Sequence, residues 1–293
     1  MEIIRSVDWM KQIAREAALA QRIVGFVPTM GALHEGHFSL VREAKRQCSP
    51  VVVSIFVNPT QFAPGEDLEK YPRNFEGDCA LLESLGVDYV FAPEAAEIYP
   101  RDFRTVVRVD GLSDKLEGRI RPGHFQGVCT IVLKLFEIVR PRFAYFGRKD
   151  AQQARIIRQM SRDLDLDAEI AVCPIVRETD GLAMSSRNAY LKAAQRAAAT
   201  VLYRSLDAAR SKLNSGIRAA AEILETVRLT INSEPLAKLD YAELVDASSF
   251  EPLDFVHAPA LLLIAARIGA TRLIDNLSIE KASGAHQDFS VSL

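Results

Sequence analysis

Apolar and polar positions change their spacing several times along this 293-residue chain, and each change predicts an element. Residues 6–22, SVDWMKQIAREAALAQR, put Val7, Met10, Ile13 and Ala17 on one helical face behind Ser6, a candidate N-cap. IVGFVPT (23–29) reads as a buried strand. A helix from about Gly36 to Gln47 leads to VVVSIFV (51–57), an unbroken β-branched run suited to a central parallel strand. NFEGDCALLESLG (74–86) predicts a helix stopped by Gly86, VDYVFAP (87–93) a strand, and FRTVVRVDG (103–111) a longer apolar strand. GVCTIVLKLFEIV (127–139) then reads as a helix, RFAYFG (142–147) as a strand, DAQQARIIRQMSRDL (150–164) as a helix and AEIAVCPIV (168–176) as a strand. Strand–helix–strand units repeated at this length predict an α/β fold with a doubly wound parallel sheet.

Past Pro174 the texture changes. KAAQRAAATVLYRSLDAARSKL (192–213) and IRAAAEILETVRLTI (217–231) are Ala-rich amphipathic helices, followed by LDYAELVD (239–246) and TRLIDNLSI (271–279) as strands. The alternating buried-strand pattern does not continue. Two domains are therefore expected, residues 1–175 and a smaller α+β unit, residues 176–293.

Bulk properties narrow the class. A hydrophobic fraction of 48% with 25% charged residues supports a full core. The net charge of −2, without a dense Lys/Arg stripe, argues against a nucleic-acid surface. The segment MEIIRSVDWMKQIAREA carries charges where a signal peptide needs an apolar core, and runs such as PALLLIAARIG (259–269) are too short to span a bilayer. Cys48, Cys79, Cys129 and Cys173 form no C-x-x-C pair, which fits free buried thiols in a reducing cytoplasm.

Candidate chemistry concentrates in PTMGALHEGHFSL (28–40), where two of the chain's five histidines stand three positions apart beside two glycines. A zincin needs H-E-x-x-H, with both imidazoles on one helical face; His34-Glu35-Gly36-His37 is one residue short and has no evident third ligand. Gly31 and Gly36 have P-loop spacing, but His37 and Phe38 replace the Lys and Ser/Thr that such a loop requires. An ordinary helix start, one ring capping and the other solvated, is the bland alternative. Position favours a third reading. The pair falls where a buried strand turns into a helix, and in open parallel sheets ligands bind at that end of the strands. The first helical N–H groups are expected to be unsatisfied there and the helix dipole positive, so the stretch predicts a phosphate cradle whose side-chain donors are imidazoles.

His34-Glu35-Gly36-His37 also resembles the HxGH signature of the nucleotidyltransferase superfamily. PTMGALHEGH, VSIFVNPTQF, KLEGRIRPGHFQGV, FGRKDAQQ, DGLAMSSRNAYL and IGATRLIDNL, spread from Pro28 to Leu277, together resemble one of its members, the pantoate–β-alanine ligase (pantothenate synthetase) family. The resemblance implies a Rossmann-like nucleotidyltransferase domain that binds ATP and pantoate, followed by a C-terminal lid domain. It also implies AMP-forming condensation of pantoate with β-alanine through a pantoyl adenylate, with release of AMP and pyrophosphate. ATP is then a co-substrate, Mg2+ travels with its triphosphate rather than in a protein cage, and the chain is a homodimer. FRTVVRVDG is a candidate for the interface.

Residue by residue, the resemblance places Met30, Gly31, Ala32, Leu33, His34, Glu35, Gly36 and His37 on ATP, with His37 as the proton donor or as an electrostatic stabiliser. Gln61 and Gln153 are the matching pantoate-binding glutamines. Gly147, Arg148, Lys149 and Asp150 form a second ATP segment, in which Lys149 supplies a phosphate cation and Asp150 meets ribose or caps the helix. Here the chain departs from the family: Arg148 stands where Glu or Gln is common, and Ala151 where an aromatic is. Val176 matches a position that meets adenine. Met184, Ser185, Ser186 and Arg187 resemble the counterpart of the KMSKS loop, which closes over ATP. His34, His37, Lys149 and Arg187 are the expected catalytic set. The Gly/Pro-rich loop EGRIRPGHF (117–125) offers Arg119, Arg121 and His124 for a gating or phosphate role, against the alternative of a solvated loop. Two other functions stay open: a nucleotidyltransferase that leaves the nucleotide on its product, and an RNA-interacting module. The paired glutamines count against the first and the near-neutral charge against the second.

Overall fold

The computed structural model describes residues 1–63, 65–281 and 289–293, and the chain divides into two compact units, Met1–Pro174 and Ile175–Leu293. The first unit opens with β1 (Glu2–Ile4) and α1 (Val7–Leu19). Ser6 caps α1 as its spacing predicts, its hydroxyl accepting from the Trp9 N–H, and Met10, Ile13, Ala14 and Ala17 are buried. β2 (Gly25–Thr29), α2 (Glu35–Gln47), β3 (Val51–Ile55), α3 (Phe75–Ser84), β4 (Tyr89–Phe91) and the short α4 (Ala95–Ile98) follow. α5 (Leu116–Ile120), α6 (His124–Val139), β5 (Phe143–Gly147), α7 (Ala151–Asp163) and β6 (Glu169–Cys173) complete the unit.

The six strands pair in the order β1-β4-β3-β2-β5-β6, all parallel. Val51, Val52 and Val53 in β3 are fully buried, each contributing roughly 1.5–3 kcal/mol of apolar burial. This is why the run carries no alternation: both faces of the strand are covered. Gly25 lets α2 close onto the sheet, since a Cβ there would stand 2.6 Å from the Cys48 Cβ.

In the second unit, α8 (Ala193–Ala199), α9 (Val201–Asn214) and α10 (Ala220–Asn232) precede β7 (Ala237–Asp246), β8 (Ala260–Ile268), β9 (Thr271–Lys281) and β10 (Phe289–Ser292). These strands form an antiparallel sheet ordered β10-β9-β8-β7. Leu206, Leu213, Ile223, Val227 and Ile231 of α9 and α10 share a core with Leu262, Ile264 and Ile268 of β8.

Three sequence expectations change. Residues 103–111 form no strand; Val106 is exposed, and the Val107 N–H donates to the Thr130 hydroxyl at 2.9 Å rather than to a ladder. The run at 259–269, read only as too short for a membrane, is the interior strand β8, paired on both edges and almost wholly buried. Residues 116–125 are not a solvated loop: they hold α5 and the first turn of α6, with Glu117 and His124 buried. Among the described residues, no helix is long and apolar enough to cross a membrane.

Candidate active site

Adjacent strands β2 and β5 mark the switch point of the first sheet: the chain leaves β2 toward β3 on one side and β5 toward β6 on the other. Ligands of open α/β sheets bind beyond the carboxyl ends at such a point. The 30–37 segment follows β2, the 147–150 segment follows β5, and Gln61 follows β3, the other neighbour of β2.

The first segment is fixed from both ends. The Thr29 hydroxyl donates to the Ser54 carbonyl at 2.6 Å and accepts the Gly31 N–H at 3.2 Å. Gly31 (φ +82°) and Ala32 (φ +50°) then adopt left-handed backbone, a turn that favours glycine at the first position. The Ala32 and Leu33 N–H groups donate to the carboxylate of Asp78 on α3, at 2.8 and 2.9 Å.

His34 is the N-cap of α2. Its Nδ1 accepts the Gly36 N–H at 3.1 Å, and its own N–H donates to His37 Nδ1 at 3.3 Å. The His37 and Phe38 N–H groups reach the His34 carbonyl. The expectation of open amides at this helix start is therefore corrected: the Gly36, His37 and Phe38 N–H groups are taken within the segment. The capping reading and the ligand reading hold together, because each ring has a second nitrogen. A peptide N–H only donates, so both Nδ1 atoms are unprotonated and a neutral ring carries its proton on Nε2. Each neutral imidazole thus has Nε2–H as its donor, polarised by the peptide N–H bound at Nδ1. His37 is held far below the usual histidine range, to about 3, by burial first and then by His34 and by the Lys149 ammonium.

β5 pairs directly with β2, so the segment that follows it lies beside the β2 segment. Gly147 has ordinary φ (−81°), and a Cβ there would meet open space, so neither backbone nor packing demands glycine. Asp150 occupies the N-cap position of α7 but makes no capping bond, so the capping role open in the sequence is not the one observed. Gln152 is buried, donating to the Leu112 and Lys115 carbonyls and accepting the Glu117 N–H; Gln153 is only partly buried.

Gln61 closes the 3-10 turn Pro59–Gln61, capped by Asn58. It is 8% exposed; its Oε1 accepts from Asn58 Nδ2 at 3.1 Å and its Nε2 approaches the Met30 sulfur at 3.0 Å. One amide N–H and one carbonyl lone pair are left for a ligand. Its backbone carbonyl accepts from His124 Nδ1 at 2.8 Å and from Arg121 at 3.3 Å, and Arg121 forms a two-point pair with Glu66 at 2.7 Å. Arg121 and His124, expected to gate or meet phosphate, are thus engaged in holding Gln61. Gly127 permits this approach, because a Cβ there would lie 2.4 Å from the Thr60 carbonyl oxygen.

In the second unit, Val176 lies past the end of β6 rather than within a strand, and its carbonyl accepts the Met184 N–H. The intervening turn is clamped. Arg177 pairs through both terminal nitrogens with Asp275 of β9 at 2.7 and 3.0 Å and also donates to the Gly181 carbonyl at 3.0 Å. Gly181 (φ +90°) packs so closely on Tyr203 that a Cβ would stand 2.3 Å from the ring. Ser185 accepts the Arg187 N–H at 3.2 Å, and Met184 to Arg187 are partly buried. Asp78, Arg177 and Asp275 were not singled out from the sequence.

Three adjacent strand ends, an imidazole pair and a neighbouring lysine define an α/β protein of the nucleotidyltransferase type. Comparison with known proteins narrows that class. Residues 2–278 match the model of the pantoate-beta-alanine ligase family. A pantothenate synthetase of Koribacter versatilis is 53% identical over 285 residues, covering 97% of this chain and 98% of that protein. The crystal structure of the Thermus thermophilus pantothenate synthetase superposes with a TM-score of 0.90 at 46% identity, covering 95% of this chain and 99% of the other. The pantoate-beta-alanine ligase of Francisella tularensis, solved with a β,γ-ATP ligand and β-alanine, gives 0.78 at 37% identity, covering 94% and 97%. The chain belongs to the pantoate–β-alanine ligase family.

Proposed function

We propose that this chain condenses pantoate with β-alanine at the expense of ATP, and that the residues above divide the work as follows. A pantoate carboxylate oxygen attacks the α-phosphorus of ATP and the bond to the β-phosphate breaks, giving pantoyl adenylate and pyrophosphate. The free amine of β-alanine then attacks the acyl carbon, AMP leaves, and the nitrogen gives up one proton as the amide forms. His34 and His37 donate Nε2–H bonds to phosphate oxygens, Lys149 supplies positive charge, and Gln61 and Gln153 hold pantoate. With Nδ1 of His37 closed by a peptide N–H, the electrostatic role is favoured over proton donation. Charge-stabilising donors fixed in advance cost no reorganisation during the reaction.

The observation that carries this reading is the imidazole pair at the switch point, both Nδ1 atoms engaged and Lys149 beside them. The open space beside Gly147 supports it, since a ligand approaching the backbone gives that glycine a reason. Val176, Met184, Ser185, Ser186 and Arg187 complete the proposed nucleotide contacts. Mg2+ belongs to the reading as an ion held chiefly by phosphate and water. So do the homodimer, which sedimentation tests, and the cytoplasmic location. The deciding experiment is exchange of labelled pyrophosphate into ATP without amine. Exchange dependent on pantoate, with AMP as the final nucleotide, supports the reading; ADP formation overturns it.

A further inference from the structure

Asp78 lies on α3, outside every segment that carries the family resemblance, yet it is 1% exposed and turned into the 30–34 turn. Each oxygen takes one peptide N–H: Oδ2 that of Ala32 at 2.8 Å, Oδ1 that of Leu33 at 2.9 Å. Consecutive N–H groups converging at a left-handed turn before a helix form the concavity in which other proteins seat an anion. Here that concavity is already filled by an anion of the chain itself. A Cβ on Gly31 would come within 3.2 Å of Asp78 Oδ2, so the carboxylate sits tight against the turn.

We infer that Asp78 is a positioning residue for the nucleotide site: it fixes the turn that sets His34 and His37, and it withholds the Ala32 and Leu33 amides from the triphosphate. The phosphates are then met by imidazole N–H groups instead of by a backbone nest. This explains together the P-loop glycine spacing and the histidines that stand where a P-loop has lysine and a hydroxyl. The inference rests on the ATP reading given above.

Amide hydrogen exchange on the unmodified protein tests it without risk to the fold. The Ala32 and Leu33 amides should be protected without nucleotide, and saturating Mg–ATP in the absence of pantoate should leave that protection unchanged. Rapid exchange that slows only when ATP is added would overturn the inference. Asp78→Asn puts an NH2 group against one of the two N–H donors and supplies the kinetic arm. Pantoate-dependent pyrophosphate exchange should fall about 10²-fold through KM for ATP and kcat, the scale expected of a small misplacement of reacting groups, with KM for pantoate unchanged. Wild-type KM for ATP and wild-type kcat in that variant would overturn it too. Failure of the ATP reading is separately visible, as absence of pantoate-dependent exchange in the wild-type protein.

Discussion

The imidazoles of His34 and His37 stand 4.2 Å apart, centroid to centroid, and the His34 peptide N–H donates to the ring of His37. Because the Gly36 N–H closes His34 Nδ1 in the same way, the start of α2 fixes the tautomer of both rings. His124 has the opposite tautomer, since its Nδ1 faces the Gln61 carbonyl and its Nε2 faces Arg121.

The two nitrogens of His37 can be separated by substitution. Asparagine places its side-chain oxygen near the Nδ1 position, and glutamine its amide N–H near Nε2. His37→Asn should keep the bond from the His34 N–H and the melting temperature, while turnover falls ~10²–10³-fold, as for loss of one preorganised donor. His37→Gln should lose ~1 kcal/mol of helix capping but retain the greater turnover. Thermal melts and steady-state assays of both variants check this; the reverse order of activities would assign the chemistry to Nδ1.

The pH response follows from the same bonds. His37 binds its proton at about 3 in the folded chain and near 6.5 when unfolded. Between those values the unfolded state holds more protons, so this group's contribution to stability is intact above pH 6.5 and is lost as pH falls through the window. His124, pushed down to about 4 by burial first and then by Arg121, acts in the same direction. Urea midpoints should therefore fall from pH 6.5 toward pH 4, and ring resonances of His37 should not titrate above pH 5. A His37 titration near 6.5 in the folded protein contradicts the locked tautomer.

Asp275→Ala should be costly. Asp275 is 1% exposed, and its removal leaves the Arg177 guanidinium without its carboxylate in a partly buried setting. Breaking a buried pair from one side costs roughly 3–5 kcal/mol, whereas replacing both partners with apolar residues is often neutral. Denaturant unfolding of Asp275→Ala beside an Arg177→Met/Asp275→Leu double variant should show that asymmetry.

Gly127→Ala probes the seat of Gln61. A methyl group 2.4 Å from the Thr60 carbonyl forces α6 and the 59–61 turn apart. The expected outcome is a loss of ~1–3 kcal/mol from overpacking, together with a raised KM for pantoate. Unchanged kinetics would dissociate Gln61 placement from this contact.

What the sequence made legible was local. Apolar runs located β2 and β3, and helical periodicity the helix between them, because each pattern lies within one element. The same reading failed on 103–111, where apolar residues suggested a strand but the one bond described for Val107 goes to a side chain. The reading also failed on β8, whose apolar run is mostly Ala and Leu and has few of the β-branched residues that marked β3 as a strand. The segments proposed to meet ATP were found by motif, and the histidine bonds span only two or three positions. Asp78 was invisible because its partners lie 45 and 46 residues away, and Arg177 and Asp275 are 98 apart. Nothing in the neighbourhood of such a residue signals a contact that only the completed sheet creates.

Helix α2 begins with a histidine where serine, aspartate or asparagine is the favoured first residue. Directed evolution for heat resistance alone would be drawn to those replacements at position 34, and each would discard a ring to which the proposed reaction assigns a phosphate contact. Durability and turnover therefore compete for one residue, and thermostable variants that remain active are expected to gain their margin elsewhere in the chain.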